Sequence, residues 1–199
     1  LPDTTWQHWR VLLADRDANP KTIEFGPECE VKLLARDGDW RTVAPKDIPS
    51  NALELTGASR ADFAIRANAN SWIKIGATTV ANIYVDGVTD RTAHPFYTDG
   101  TSTWSSKRPS YLRDLRSEPI VNAESINMGA RTVNGSKYDH DIANITLPDT
   151  DVQEWGILGA GMHPFHLHVY HVQAMTSAGN FEEGEYYDVV SEKMDVRFD

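Results

Sequence analysis

Short runs of alternating apolar and polar residues, cut every few positions by turn formers, constrain this chain most. They leave room for strands and almost none for helix. Strands are predicted at 8–14, 21–25, 29–35, 40–44, 51–56, 60–67, 71–76 and 79–86. Asn19-Pro20, Gly26-Pro27, Asp37-Gly38, Pro45 and Gly57 separate them. Within 60–67, Ala61-Asp62-Phe63-Ala64-Ile65-Arg66 has the period of a half-buried strand. Residues 87–120 are polar and rich in Gly, Pro, Ser and Thr, so they read as a connection. Only Tyr111-Leu112-Arg113-Asp114-Leu115-Arg116 there has the make-up of a helical turn or two. Strands resume at 121–128, 130–134, 142–147, 152–158, 163–175, 185–190 and 195–198. The expectation is all-β: two sandwich or barrel units joined near residue 100.

Composition narrows the function. With 199 residues, 40% hydrophobic and 24% charged, the chain is an ordinary globular protein of one large or two small domains. Lys+Arg total 19 against 29 Asp+Glu, a formal charge of -10. That balance argues against nucleic acid or an anionic membrane as partner, because both select a basic face. No apolar run approaches the roughly 20 residues that span a bilayer. The single cysteine, Cys29, excludes an internal disulfide framework and a cysteine-cluster metal site. The chain opens Leu1-Pro2-Asp3 without Met and stops in the strand-like Val196-Arg197-Phe198-Asp199, so both ends read as cut within folded structure. A fragment of a longer protein is expected.

Chemistry concentrates in one place. Four of the seven histidines fall within Met162-His163-Pro164-Phe165-His166-Leu167-His168-Val169-Tyr170-His171. On a strand, His166 and His168 project from one face as a pincer, and His163 has the opposite parity. One segment could then ligate metal on both of its sides. Imidazole suits copper, zinc, iron and nickel. His171 shares parity with Phe165, Leu167 and Val169 and is expected to be a packed core histidine, while His8, His94 and His140 stand isolated among polar neighbours. A cupin would follow its His-x-His with a glutamate, but Val172, Gln173 and Ala174 stand there. An α-type carbonic anhydrase would add a downstream histidine, and none follows His171.

His163-Pro164-Phe165-His166-Leu167-His168 resembles the His-Pro-x-His-x-His motif in the last cupredoxin domain of multicopper oxidases, the laccase-like family. Thr132-Val133-Asn134-Gly135, Gln153-Glu154-Trp155, Gly184-Glu185-Tyr186-Tyr187-Asp188 and Val196-Arg197-Phe198 are similar to other segments of that domain. Trp6-Gln7-His8-Trp9-Arg10, the stretch from Cys29 to Gly38, and Ser59-Arg60-Ala61-Asp62 resemble the second domain. The resemblance implies two cupredoxin-like Greek-key units, both incomplete: the second domain over 1–100 and the third over 101–199. It implies copper as cofactor, with His163 ligating the type 1 ion, His166 the type 2 ion and His168 one of the type 3 pair. The implied reaction couples one-electron oxidation of a phenol, amine or metal ion to reduction of dioxygen to water. The implied partners are the remaining segments of the same oxidase, dioxygen and a small reducing substrate, and the implied setting is secreted or periplasmic.

The family's His-Cys-His motif and its first-domain His-x-His pairs are absent from these 199 residues. Cys29, flanked by Glu28 and Glu30 with no histidine beside it, is expected to be a structural thiol. The chain alone is therefore expected to hold a partial site. A non-catalytic cupredoxin-like structural or interaction module, and a mononuclear zinc or copper protein using His166 and His168, stay open as rival readings. Asn134-Gly135-Ser136 and Asn144-Ile145-Thr146 are N-glycosylation sequons. Trp72, Trp104 and Trp155 are expected in cores or interfaces before substrate platforms.

Overall fold

The computed structural model describes residues 6–15, 19–86, 108–148, 151–161 and 163–199. They divide into two compact units: Leu1–Ala14, Pro20–Leu55 and Ser59–Lys107 in the first, Asp15–Asn19, Thr56–Ala58 and Arg108–Asp199 in the second. Residues 87–107 of the connection predicted over 87–120, Trp104 among them, lie outside the described residues.

The first unit holds β1 (Gln7–Leu12), β2 (Lys21–Phe25), β3 (Cys29–Arg36), β4 (Asp39–Trp40), β5 (Lys46–Asp47), β6 (Ala52–Leu55), β7 (Arg60–Ala67), β8 (Ser71–Ile75) and β9 (Thr78–Ile83). One sheet runs β1-β7-β3-β4 with β5 also on β3, and a second runs β6-β2-β8-β9. Their inner positions form one core, in which Phe25 meets Phe63 edge to face at 5.1 Å beside Ile23, Val31, Leu33, Leu55 and Ile65. β7 lies between β1 and β3 and is more buried than its alternation predicts. Even Asp62 is 0% exposed, because His8 and Arg10 of β1 close over it. Their contacts are 2.7 Å from His8 Nε2 and 3.0 Å from Arg10 Nε, so the buried charge is paired and hydrogen-bonded.

The second unit holds β10 (Ile120–Asn127), β11 (Val152–Leu158), β12 (Phe165–His166), β13 (Val172–Ala174), β14 (Tyr186–Tyr187), β15 (Val189–Val190) and β16 (Met194–Phe198). The main sheet runs β10-β11-β16-β13-β14, and β12 pairs with β15 apart from it. β10 and β11 are parallel, and the other pairs are antiparallel. Trp155 anchors the core, edge to face with Phe198 at 5.0 Å and with Phe165 at 6.1 Å.

Four predicted strands of this unit take another form, and the one predicted at 185–190 is two short strands, β14 on the main sheet and β15 against β12. At 130–134 the chain makes a tight hairpin in which Val133 and Ser136 exchange backbone hydrogen bonds. Asn134 (φ 52°) and Gly135 (φ 79°) occupy its two central positions, the left-handed backbone that Asn-Gly accepts at low cost. At 142–147, Ile145 and Leu147 pack on the core, so the alternation is real, but no neighbouring strand pairs with the segment. The long strand predicted at 163–175 is two short ones, β12 and β13, with a bend between them. Val169 at φ 79° breaks it, a conformation costly for a β-branched residue. The segment from Tyr111 to Arg116 is not helical: it runs between two turns, one closed by Leu112 N–H on Pro109 O at 3.0 Å and one by Glu118 N–H on Leu115 O at 3.1 Å.

Candidate metal centre

Pairing places the histidines. β12 opposes β15 with Phe165 against Val190 and His166 against Val189. Alternation then turns Phe165 into the core, 5% exposed, and leaves His166 outward. The same register brings His166 Nδ1 to 2.8 Å from the Asp188 carbonyl oxygen and 3.1 Å from its Oδ1. Both neighbours are acceptors, an arrangement that suits an N–H at Nδ1 and a free lone pair at Nε2.

After His166 the strand ends, yet the next histidine still meets it. Leu167 packs on the core, the backbone bends, and the His168 ring stands 4.9 Å from the His166 ring, edge to face at 61°. Both side chains are exposed. Tyr170 and the half-buried His171 line a neighbouring cleft of about 390 Å³ with Tyr111, Leu112, Val169 and Tyr186.

His163 is placed differently. It is exposed, with Nδ1 3.1 Å from the Pro164 carbonyl oxygen. It lines a separate cavity of about 290 Å³ whose walls include Met128, Arg131, Thr132, Tyr138 and Asn144, and neither His166 nor His168. Three histidines from one short segment thus divide into a pair and a single residue.

Two imidazoles side by side, one with acceptors at Nδ1, fit an imidazole-preferring ion such as copper as part of its ligand set. Among the described residues, the one group of three donors within 4.8 Å of each other is Asp139, His140 and Asp141, all exposed. Sequence reasoning set His140 aside as isolated, although the Asp-His-Asp string was there to read. Asp188 was missed altogether: it lies 22 residues from His166 and is joined to it only by strand register.

The other candidates are structural or surface groups. Cys29 is 5% exposed in the core of the first unit, and burial pushes its thiol pKa up. His8 binds Asp62, and His94 lies outside the described residues. Trp155 is core, and Trp72 is half-buried beneath the Lys74 ammonium, 4.0 Å from its ring. Asn134 and Asn144 are both exposed, and Asn134 Oδ1 accepts from Asn127 N–H at 2.7 Å. No helix among the described residues is long and apolar enough to cross a membrane.

Residues 112–196 match the family model described as multicopper oxidase. Solved structures resemble nearly the whole chain. Lac15 from a marine microbial metagenome matches with TM-score 0.68 at 20% identity, over 97% of this chain and 48% of its own. The multicopper oxidase from Campylobacter jejuni, a metallo-oxidase, matches with TM-score 0.66 at 15% identity, over 99% and 48%. The laccase-like multi-copper oxidase CueO from the lignin-degrading Ochrobactrum sp. matches with TM-score 0.63 at 13% identity, over 99% and 50%. At these identities the likeness is one of fold. The chain spans about half the length of the solved proteins it matches. No curated protein matches the sequence significantly.

Proposed function

Because residues 112–196 are a multicopper oxidase segment by sequence and the whole chain has that family's all-β fold, we propose that it forms the second (1–100) and third (101–199) cupredoxin-like domains of a copper-dependent oxidase. The observation that carries this reading is the division of the histidine motif into the His166–His168 pair and the separate His163. His163 would hold the type 1 copper, His166 the type 2 copper and His168 one of the type 3 pair. Bound copper would supply one-electron oxidation of a phenol, amine or metal ion and reduction of dioxygen to water. The chain's own residues position donors. β12 fixes His166, Phe165 locks that strand to the core through Trp155, and Leu167, packed on the same core, carries the chain to His168 beside its neighbour. Other segments of the same oxidase would provide the remaining histidines and the cysteine thiolate. Export to the periplasm or cell exterior is part of this reading, with Asn134 and Asn144 open to glycosylation where the host supports it.

The test is a set of single variants in the complete gene product. H163A is expected to abolish the intense blue band of a copper–thiolate bond. H166A and H168A are expected to keep that band while dioxygen consumption falls to background. A complete protein that stays colourless with copper added would instead make the chain a non-catalytic cupredoxin-like module. Zinc uptake without oxidase turnover would make it a mononuclear metal protein.

A further inference from the structure

Asp188 is not a member of the histidine motif, yet it touches His166 twice, through its carbonyl oxygen at 2.8 Å and its carboxylate Oδ1 at 3.1 Å. We propose that Asp188 is a positioning residue, which holds His166 as the Nδ1–H tautomer and aims Nε2 outward as the metal donor. This rests on the copper reading above for its purpose, but its geometry stands without it.

A neutral imidazole has two tautomers, and only the nitrogen without hydrogen can donate to a metal. An exposed histidine with no partner samples both tautomers and several ring orientations. At His166 the hydrogen-bonding neighbours of Nδ1 are both acceptors, which favours one tautomer and one ring plane. The carboxylate is the more strongly accepting of the two, since a charged acceptor strengthens the bond. Its own side chain is 17% exposed, so it competes little with solvent for that position. Two local features keep the arrangement in place. Val189, the next residue, pairs with His166 across the β12–β15 ladder, and Tyr187, the residue before, is 2% exposed in the core. Asp188 is therefore held on both sides by residues that do not bind metal. Among the described residues no hydrogen bond holds the His168 ring in this way, so His166 is the pre-oriented member against which the second imidazole closes.

The experiment compares the 199-residue chain with D188A, D188N and H166A. With the imidazoles neutral and no metal present, nitrogen NMR of the histidine side chains reports the tautomer directly. The wild type is expected to show His166 as Nδ1–H, D188A to shift toward a mixture because the carbonyl alone remains, and D188N to recover most of the preference through its amide oxygen. Copper(II) titration followed by electron paramagnetic resonance is expected to show about 10-fold weaker binding in D188A, the lower end of what outer-shell substitutions cost. D188N, nearly the same size, guards against a folding defect, and its circular dichroism should match the wild type. An Nε2–H tautomer in the wild type, or an unchanged tautomer in both variants, overturns the proposal. Unchanged affinity in D188A, with H166A clearly weakened, also overturns it. Equal copper binding by wild type and H166A would defeat the copper reading instead, while the tautomer result still decides the role of Asp188.

Discussion

Gln173 is 1% exposed, in the middle of the main sheet of the second unit, and its amide is fully used. Its Oε1 accepts from Leu115 N–H at 2.7 Å, and its Nε2 donates to Gly184 O at 2.8 Å and to Asp114 Oδ1 at 3.2 Å. Q173L keeps the volume but strands a buried N–H and a carbonyl. It should cost about 2–3 kcal/mol, the penalty of unsatisfied buried groups, read as a lower urea midpoint at unchanged slope. A loss below about 0.5 kcal/mol, the range of a bland surface change, would mean water replaces the amide. Val169 is the opposite case, 92% exposed and held at φ 79°. V169N places a residue that tolerates this backbone there, and should raise stability by up to about 1 kcal/mol by relieving the strain. An unchanged or lower melting temperature would show that the bend is not strained. Residue-level legibility follows the range of each interaction. The His166–His168 pairing is a contact two positions apart in the chain, which a short motif announces even though the strand ends at His166, whereas Asp188 and the partners of Gln173 depend on register, which no local pattern encodes.

One segment of the second unit, residues 108–118, is tied to the rest of that unit by a cluster of arginine contacts beside the buried Leu115 and the Gln173 bonds. Arg197 of β16 donates from one terminal nitrogen to the carbonyls of Leu115 at 2.7 Å, Arg116 at 2.9 Å and Glu118 at 3.2 Å, and from Nε to Glu154 at 2.7 Å. Arg108 is paired with buried Glu185, Arg113 with Asp199 and Glu118, and Tyr186 O–H donates to Arg113 O at 2.6 Å. Asp114 anchors the middle of the segment: its hydrogen bonds and charge contact with Arg116, helped by Gln173, lower its pKa to about 2. The folded value lies below the ordinary value of about 3.9, so its stabilisation is complete above about pH 4 and is lost as pH falls through about 2. The Asp114 side chain is 55% exposed, so the effect is modest and screened by salt. In urea midpoints followed from pH 5 to pH 2, D114N should decline less steeply than the wild type, and the difference should shrink in salt. Parallel curves would refute the coupling. At this scale the sequence is informative about strands with a strong period, such as 21–25 and 60–67, which β2 and β7 match. It misled at 142–147, because alternation reports a buried face and says nothing of whether a neighbour offers hydrogen bonds.

At the scale of the whole molecule, each unit has its own hydrophobic core, and the chain's one thiol and its histidine motif belong to different units. Cys29 sits in the first core at 5% exposure, with burial raising its pKa, so at neutral pH it is a protonated thiol. For Cys29 itself to ligate copper, its thiolate would have to come within reach of imidazoles, and that would mean opening the core that holds it with Val31, Ala67 and Ile73. His163, His166 and His168 are by contrast exposed, so ligation by them would need no unfolding. Copper(II) added to the 199-residue chain should therefore bind at imidazole nitrogen and give only weak ligand-field absorption, with no intense copper–thiolate band. C29S should give a superimposable spectrum, and Cys29 should react with a thiol reagent only slowly until denaturant is added. If the complete gene product is blue, C29S should leave that band intact, which would assign the thiolate to another segment. A blue colour in the 199-residue chain that disappears in C29S would refute this division of labour and make Cys29 a ligand.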